Sequence, residues 1–118
     1  MQITGRPVAI LKSSDIARTT EWYAAAGFEV RGFHPESMPT WCEVARGGTV
    51  LQFLAGETPW EGGPNLTGCL YVHTDNVDAV YEEIHGKVTC EWGVEDRRWG
   101  ARELVLRDPD GYFITLTQ

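Results

Sequence analysis

Asp108-Pro109-Asp110-Gly111, followed by Tyr112-Phe113-Ile114-Thr115-Leu116, is the stretch that decides the fold of this chain. Pro109 fixes φ at the first central position of a turn, and Gly111 tolerates the positive φ that a tight reversal needs. Because apolar runs flank this turn on both sides, the segment predicts a β-hairpin. A similar pattern in the first half, Arg-Gly-Gly-Thr-Val-Leu-Gln-Phe at 46–53, indicates that the chain repeats one structural unit.

Both halves of the chain predict the same order of elements: strand, helix and three further strands. In the first half, the helix begins after Asp15, a good N-cap residue, and ends at Gly27. In the second half, Asp75 or Asn76 caps a helix that ends at Gly86. The predicted strands are 7–12, 28–33, 40–45 and 49–55 in the first half, and 69–73, 88–92, 101–107 and 112–117 in the second.

The predicted fold is therefore α+β, a single domain over residues 1–118 that consists of two βαβββ modules. Module one spans about residues 5–56, a linker rich in proline and glycine covers 57–66, and module two spans about 67–118. One helix covers the outer face of each sheet. If the two sheets meet edge to edge, they form one curved mixed sheet, a cup lined by alternate residues of the central strands.

The composition argues against two classes of partner. The net charge of −7 and the pI of about 4.8 make nucleic acid a poor partner. The sequence contains no run near the ~20 consecutive apolar residues of a membrane span. No apolar signal segment opens the chain, so we expect a cytoplasmic protein.

The three cysteines, Cys42, Cys69 and Cys90, predict free thiols rather than a disulfide framework. Their number is odd, and they form no Cys-x-x-Cys pair. In a reducing cytoplasm, buried free thiols are the expected state of such residues.

Three segments together resemble the vicinal oxygen chelate superfamily of glyoxalases, bleomycin-resistance proteins and ring-cleaving dioxygenases. They are the 108–111 turn, Trp99-Gly100-x-Arg102-Glu103, and the helix with Asp15…Trp22-Tyr23…Gly27-Phe28. The resemblance covers nearly the whole chain, and the segment from Trp99 looks most like the bleomycin-resistance branch. For that branch, the resemblance implies a homodimer with two ligand crevices between its subunits.

Enzymes of this superfamily bind a divalent metal in the cup through His, Gln or Glu side chains, one from each central strand. The positions that match these ligands here are Val8, Gln52, Cys69 and Thr115. Valine cannot bind a metal, threonine is a poor neutral ligand and glutamine a weak one. We therefore expect no metal and no cofactor, which argues against metal-dependent glyoxalase, epimerase and extradiol dioxygenase activity.

The tryptophans indicate where a ligand would bind. Trp22 lies on the first helix and is expected in the core, whereas Trp41, Trp60, Trp92 and Trp99 fall near the opening of the cup. Loop aromatics offer a large rigid surface for stacking. For Trp60, a local plug over the linker is an equally good interpretation. Acidic residues gather in the same region, either as solvated strand faces or as a rim that attracts a planar cation; they are Glu36, Glu43, Glu57, Glu61, Glu91, Glu95, Asp96 and Glu103.

The resemblance and these residues together predict a metal-free protein that sequesters a bleomycin-type antibiotic or another flat aromatic natural product, without catalysis. Stacking residues are expected to be Phe33, Trp41, Trp60, Trp92 and Trp99. The expected polar contacts are Gln52, Cys69, Tyr71, His73, Arg102 and Thr115. Glu57, Glu61 or Glu103 would bind the positive charge of the ligand.

Two enzymatic alternatives remain open at this point. Cys69, Tyr71 and His73 share one strand parity and could perform acid–base work in a cofactor-independent isomerase or cyclase. His73 has no evident Asp or Cys partner in the sequence, and a structural histidine at the cup edge is the simpler interpretation. A lyase or dioxygenase with a shifted metal site at Gln52, His73 and nearby carboxylates is the other alternative.

Overall fold

The computed structural model describes residues 5–58, 61, 66 and 68–118, which form two helices and eight strands. None of the helices in these residues is long and apolar enough to cross a membrane. The elements are β1 (Ala9–Lys12), α1 (Ile16–Ala25), β2 (Glu29–His34), β3 (Trp41–Arg46), β4 (Thr49–Leu54), β5 (Cys69–His73), α2 (Val77–Ile84), β6 (Cys90–Asp96), β7 (Arg102–Arg107) and β8 (Phe113–Thr117).

The strands form two four-stranded mixed sheets with the same topology, β1-β4-β3-β2 and β5-β8-β7-β6. The pairs β1–β4 and β5–β8 are parallel, and all other neighbouring strands are antiparallel. Helix α1 packs on β2 and β3, and α2 packs on β6 and β7, so each sheet keeps one face without a helix. The predicted α+β fold of two βαβββ units with outer helices is confirmed, and the two sheets are separate rather than closed into one.

Side-chain caps begin both helices. Asp15 accepts a hydrogen bond of 3.1 Å from the backbone N–H of Arg18, as the sequence predicts. Of the two candidates for α2, the cap is Asn76, whose side chain accepts from Ala79 N at 3.0 Å. Gly27 adopts a φ of 89° directly after the C-cap of α1, and this backbone conformation ends the helix at little steric cost.

The core lies between each helix and the face of the sheet that it covers. In module one, the fully buried ring of Tyr23 packs edge-on against Phe28, with centroids 5.2 Å apart, and tilted against Phe53 at 5.1 Å. Burial of one such aromatic ring stabilises the fold by about 1.5–3 kcal/mol. Trp22 is half-buried and packs against this core. The core members of module two include Val77, Val80, Ile84, Leu104, Leu106, Ile114 and Leu116.

The predicted turn at 108–111 has a role beyond joining β7 to β8. Asp108 Oδ1 accepts the backbone N–H groups of Asp110 and Tyr112, both at 2.9 Å, and Gly111 has a φ of 92°. The turn also contacts module one, because Tyr112 donates its hydroxyl to the carbonyl of Lys12 at 2.9 Å and Asp110 accepts from Ser14 N at 3.1 Å. A local turn motif thus fastens the two modules together.

The cysteines are free, but the prediction that they are buried is only partly right. Cys42 is buried in the core, and desolvation raises the pKa of its thiol to about 11. Cys90 is half-buried, and burial also raises its pKa. The prediction is wrong for Cys69, which is exposed because its side chain points away from the helix-covered face of its sheet.

Candidate functional site

The helix-free face of the second sheet carries most of the chemically distinctive side chains. Tyr71 lies opposite Thr115, which lies opposite Val105, and residues opposite each other in a ladder point to the same side of the sheet. Leu104 and Ile114 occupy the other parity and pack in the core. Through the same register, the helix-free face carries Cys69, Tyr71, His73, Trp92, Glu103, Val105, Phe113, Thr115 and Thr117.

A largely apolar groove with a volume of about 530 Å³ runs over this face. Trp92 and Phe113 form one wall, with ring centroids 6.0 Å apart and planes inclined by 30°. Trp92 is 54% exposed, which is unusual for so large an apolar ring. The described residues that line the groove are Leu66, Gly68, Cys69, Trp92, Val105, Gly111, Phe113 and Thr115. Its walls suit a flat apolar molecule.

Cys69 and Thr115 form a polar pair in the groove. The Thr115 hydroxyl donates to Cys69 Sγ at 3.6 Å across the β5–β8 ladder. They are two of the four positions that match the metal ligands of the superfamily. The third position, Gln52, lies on the first sheet, where its amide donates to Glu43 at 2.9 Å and accepts from Trp41 at 3.4 Å. Within the described residues, no three His, Cys, Asp or Glu side chains come close enough together to hold a metal ion.

A buried carboxylate, Glu103, lies beside the groove and is only 3% exposed. Tyr71 donates its hydroxyl to this carboxylate, and Arg97 Nε donates to the other carboxylate oxygen at 3.3 Å. Desolvation raises the pKa of Glu103, but hydrogen bonds from Tyr71, Thr117 and Arg97 and the charge of Arg97 lower it further, so the net shift is downward. Glu103 is therefore an ionised group that already has a cationic partner.

Arg102, predicted as a ligand contact, lies on the side of the second sheet that faces α2. Its guanidinium donates to both carboxylate oxygens of Asp78, at 2.9 and 3.0 Å, and to Asp96 at 2.9 Å. These hydrogen bonds raise the pKa of Arg102 and lower that of Asp78. Through the hydrogen bonds to Asp78, Arg102 holds α2 against β7.

Phe33 also points to the helix side of its sheet. It lies opposite the buried Cys42 in the β2–β3 ladder, beyond an irregularity between Val30 and Gly32. Trp41 belongs to the helix-free face of this first sheet, with its ring over Gly32. The structure thus places Phe33 and Trp41 on opposite faces of the sheet.

The remaining predicted residues lie at several places around the molecule. Trp99 is 63% exposed in the turn between β6 and β7, where the guanidinium of Arg97 lies 6.0 Å from its ring centroid. His73 packs edge-on against Tyr71, with centroids 5.8 Å apart, and lines a cavity between the modules.

The acidic residues predicted near the linker lie beside β1. Glu61 pairs with Lys12, and Glu57 lines a polar pocket beside them. Trp60 lies outside the described residues.

Sequence reasoning missed several residues that line the groove, above all Phe113, Val105 and Gly111. The signal for Phe113 was present, because Phe113 and Thr115 share one strand parity. Arg107 was also missed, although its guanidinium lies 5.3 Å from the centroid of the Phe113 ring. The signal for this pair was present too, because Arg107 and Phe113 lie opposite each other in the hairpin that the 108–111 turn predicts.

A comparison with family models gives a match over residues 7–116 to the Glyoxalase/Bleomycin resistance protein/Dioxygenase superfamily. A comparison with curated proteins gives no match. Among solved structures, TioX from Micromonospora sp. ML1 is similar over 98% of both chains, with 20% identity and a TM-score of 0.77.

Two further similar structures are of proteins that bind antibiotics. TnmS3, an antibiotic binding protein from Streptomyces sp. CB03234, has 24% identity and a TM-score of 0.74, with 100% of this chain and 98% of that chain covered. The bleomycin-binding protein of bleomycin-producing Streptomyces verticillus, complexed with copper(II)-bleomycin, has 23% identity and a TM-score of 0.69, covering 98% of this chain and 97% of that one. At these identities the likeness supports the fold.

Proposed function

Because this chain belongs to the glyoxalase, bleomycin resistance protein and dioxygenase superfamily, we propose that it is a metal-free protein that binds and sequesters a flat aromatic small molecule. The ligand is an antibiotic of bleomycin type or another flat natural product. The proposal rests on one observation above all, the exposed ring of Trp92 beside the half-buried ring of Phe113 along an apolar groove. A cytoplasmic location, where Cys69 would stay a free thiol, is part of the same proposal.

The groove has the physical properties that stacking requires. Two aromatic rings, with centroids 6.0 Å apart and planes inclined by 30°, line the groove and offer aromatic surface on which a planar ring can stack. Aromatic stacking contributes about 0.5–1.5 kcal/mol beyond the area that is buried. Cys69 and Thr115 add a polar edge that can orient the ligand.

The similar solved structures support a binding role. They include a bleomycin-binding protein complexed with bleomycin and the antibiotic binding protein TnmS3. Since the superfamily also contains enzymes, and fold alone does not decide function, the proposal relies on the groove rather than on likeness.

A homodimer is part of the proposal. Val8, just before β1, is 41% exposed, and Ile10, within β1, is 44% exposed; β1 lies at the edge of the first sheet. Exposed apolar groups on a sheet edge favour pairing with a second chain. In a dimer, residues of the first sheet such as Trp41 and Gln52 could complete the groove of the partner. Sedimentation equilibrium should give twice the 13.2 kDa mass of one chain; a monomer at every concentration would refute the dimer.

Intrinsic tryptophan fluorescence tests the binding function directly. The protein is titrated with metal-free bleomycin, a mitomycin-type compound and an enediyne-type compound. Saturable quenching at one ligand per chain, together with protection of a drug-sensitive host on expression, is the expected result. If folded protein shows no response to any flat aromatic compound at high micromolar concentration, the sequestration proposal is wrong.

One observation favours a second candidate, a cofactor-independent isomerase or cyclase. The hydroxyl of Tyr71 donates to the buried Glu103, and an acid–base pair of this kind next to a groove can serve proton transfer. However, the pKa of Glu103 is lowered, whereas a general base at neutral pH works best with a pKa near 7. In an enzyme, Tyr71→Phe should abolish turnover but keep ligand binding.

The other enzymatic alternative, a metal enzyme with a shifted site, requires a stoichiometric metal. Elemental analysis of untreated protein tests it.

A further inference from the structure

The charges around the groove differ from the acidic rim that the sequence predicts. Several of the predicted acidic residues already have a cationic partner: Glu95 and Glu103 pair with Arg97, Asp96 with Arg102, and Glu61 with Lys12. None of the described residues that line the groove carries a charge. Beside the groove, the paired Glu95, Asp96 and Glu103 therefore offer little free negative charge to a cationic ligand. Among the described residues, Glu36, Glu43 and Glu57 form no ion pair, but none of them lines the groove.

Arg107 is the cation that lies against the wall of the groove. Its guanidinium carbon lies 5.3 Å from the centroid of the Phe113 ring. A Cβ at Gly111, which also lines the groove, would lie 3.9 Å from Arg107 Nε and from Nη2. Two residues of the groove thus adjoin the same guanidinium.

Arg107 is available to a ligand. Its closest carboxylate, Glu91, lies 3.9 Å away, and the two side chains are 54% and 33% exposed. An exposed ion pair of this length contributes little free energy, so a ligand group can replace Glu91 at small cost. The planar guanidinium offers a fork of donors that fits a carboxylate, a sulfonate or two neighbouring carbonyl oxygens.

We propose that the groove selects flat aromatic ligands that carry an anionic or strongly hydrogen-bond-accepting group. The ring stacks on Trp92 and Phe113, and Arg107 binds the acceptor group at the ring edge. This inference rests on the proposed binding function and specifies its ligand class. Because the chain carries a net charge of −7, its general field repels anions, and a local guanidinium is needed to offset that repulsion.

The experiment compares two planar tricyclic probes, anthraquinone-2-sulfonate and the cationic acridine proflavine. Tryptophan quenching gives the Kd of each for the full chain and for Arg107→Gln, Arg107→Lys and Arg18→Gln. Arg18 is a matched control, because it is 53% exposed and forms a similar 3.9 Å ion pair, with Asp110, on α1. Arg107→Gln and Arg18→Gln change the net charge by the same amount.

The wild-type protein is expected to bind the sulfonate at least about tenfold more tightly than proflavine. Arg107→Gln should weaken sulfonate binding about three- to tenfold, Arg107→Lys less, and Arg18→Gln less than about twofold. Binding of proflavine should stay within about twofold in all variants. Raising the salt concentration should reduce the preference for the sulfonate.

The outcomes separate this inference from the function on which it rests. If proflavine binds as tightly as the sulfonate, or if Arg107→Gln and Arg18→Gln behave alike, the inference is wrong and the binding function stands. If no probe and no antibiotic binds to the folded wild-type protein, both are wrong. Urea unfolding of each variant verifies that the comparison is made between folded proteins.

Discussion

The hydroxyl of Tyr23, in the last turn of α1, donates a hydrogen bond of 2.9 Å to Oδ2 of Asp108, the first residue of the turn between β7 and β8. Both residues are buried, and the bond joins the two modules. Desolvation raises the pKa of Tyr23, and the nearby Asp108 raises it further, so the phenol stays a donor throughout the usual pH range. Asp108, which belongs to the turn motif of the second half, thus has a hydrogen-bond partner in the first half of the chain.

Tyr23→Phe should destabilise the protein by about 1–3 kcal/mol, because it leaves a buried carboxylate oxygen without its donor. The midpoint of urea unfolding should fall with an unchanged slope. Tyr112→Phe is the matched control, since it removes a hydroxyl bond of the same 2.9 Å length to an exposed carbonyl. Water can replace that bond, and a loss equal to that of Tyr23→Phe would contradict the explanation.

The stability of the fold should depend on pH through Glu103. Its pKa in the folded protein lies below the ordinary value of 4.5, so its stabilising effect is present above that pH and is lost as the pH falls through the folded value. The free energy of unfolding of the wild type should therefore fall more steeply than that of Glu103→Gln between about pH 6 and pH 3. Glu29→Gln, at an exposed site on β2, should keep the wild-type profile; parallel profiles for Glu103→Gln and wild type would disprove this role.

Cys69 should be the one thiol that reacts rapidly with a disulfide reagent in the native protein at about pH 8. The exposed position of Cys69 allows attack, whereas Cys42 is buried and its pKa is raised to about 11. Cys69→Ser should eliminate the rapid phase. A saturating ligand should slow the reaction, since Cys69 lines the groove. Rapid reaction of a second thiol, or no protection by a bound ligand, would contradict this placement.

Trp92→Ala should weaken ligand binding by about tenfold or more, because it removes one of the two stacking rings. Trp99→Ala serves as the control, because Trp99 is even more exposed and lies against Arg97 in the β6–β7 turn, apart from the groove-lining residues of the described chain. We expect it to change Kd less than about twofold. Fluorescence titration of both variants measures the difference in Kd. Equal losses of affinity would indicate that the ligand binds near the β6–β7 turn instead.

Much of the fold could be predicted because the signals are local. Asp15, Gly27 and Gly111 impose caps and turns through their own side-chain and backbone chemistry, and the structure has these features where they were expected. Strand alternation likewise placed Cys69, Tyr71 and His73 on one face. For strands without an irregularity, parity alone is sufficient to assign a face.

Other predictions depended on contacts that no local pattern contains. In β2, the irregularity between Val30 and Gly32 inserts a residue, so simple alternation counted from Val30 does not give the face on which Phe33 lies. The sequence shows the acidic residues but not their partners, and Arg97 and Arg102 reach them only through the fold.

By itself, the sequence determined the two modules, their helices and the strand that carries Cys69, because propensity, capping and turn chemistry act over a few residues. Only the tertiary structure decided which rings meet and which charges remain free. Trp92 on β6 and Phe113 on β8 become neighbours across β7 only when all three strands pair. Arg107 lies beside Phe113 in the hairpin, but its weak ion pair with Glu91 on β6 is likewise decided by the folded sheet.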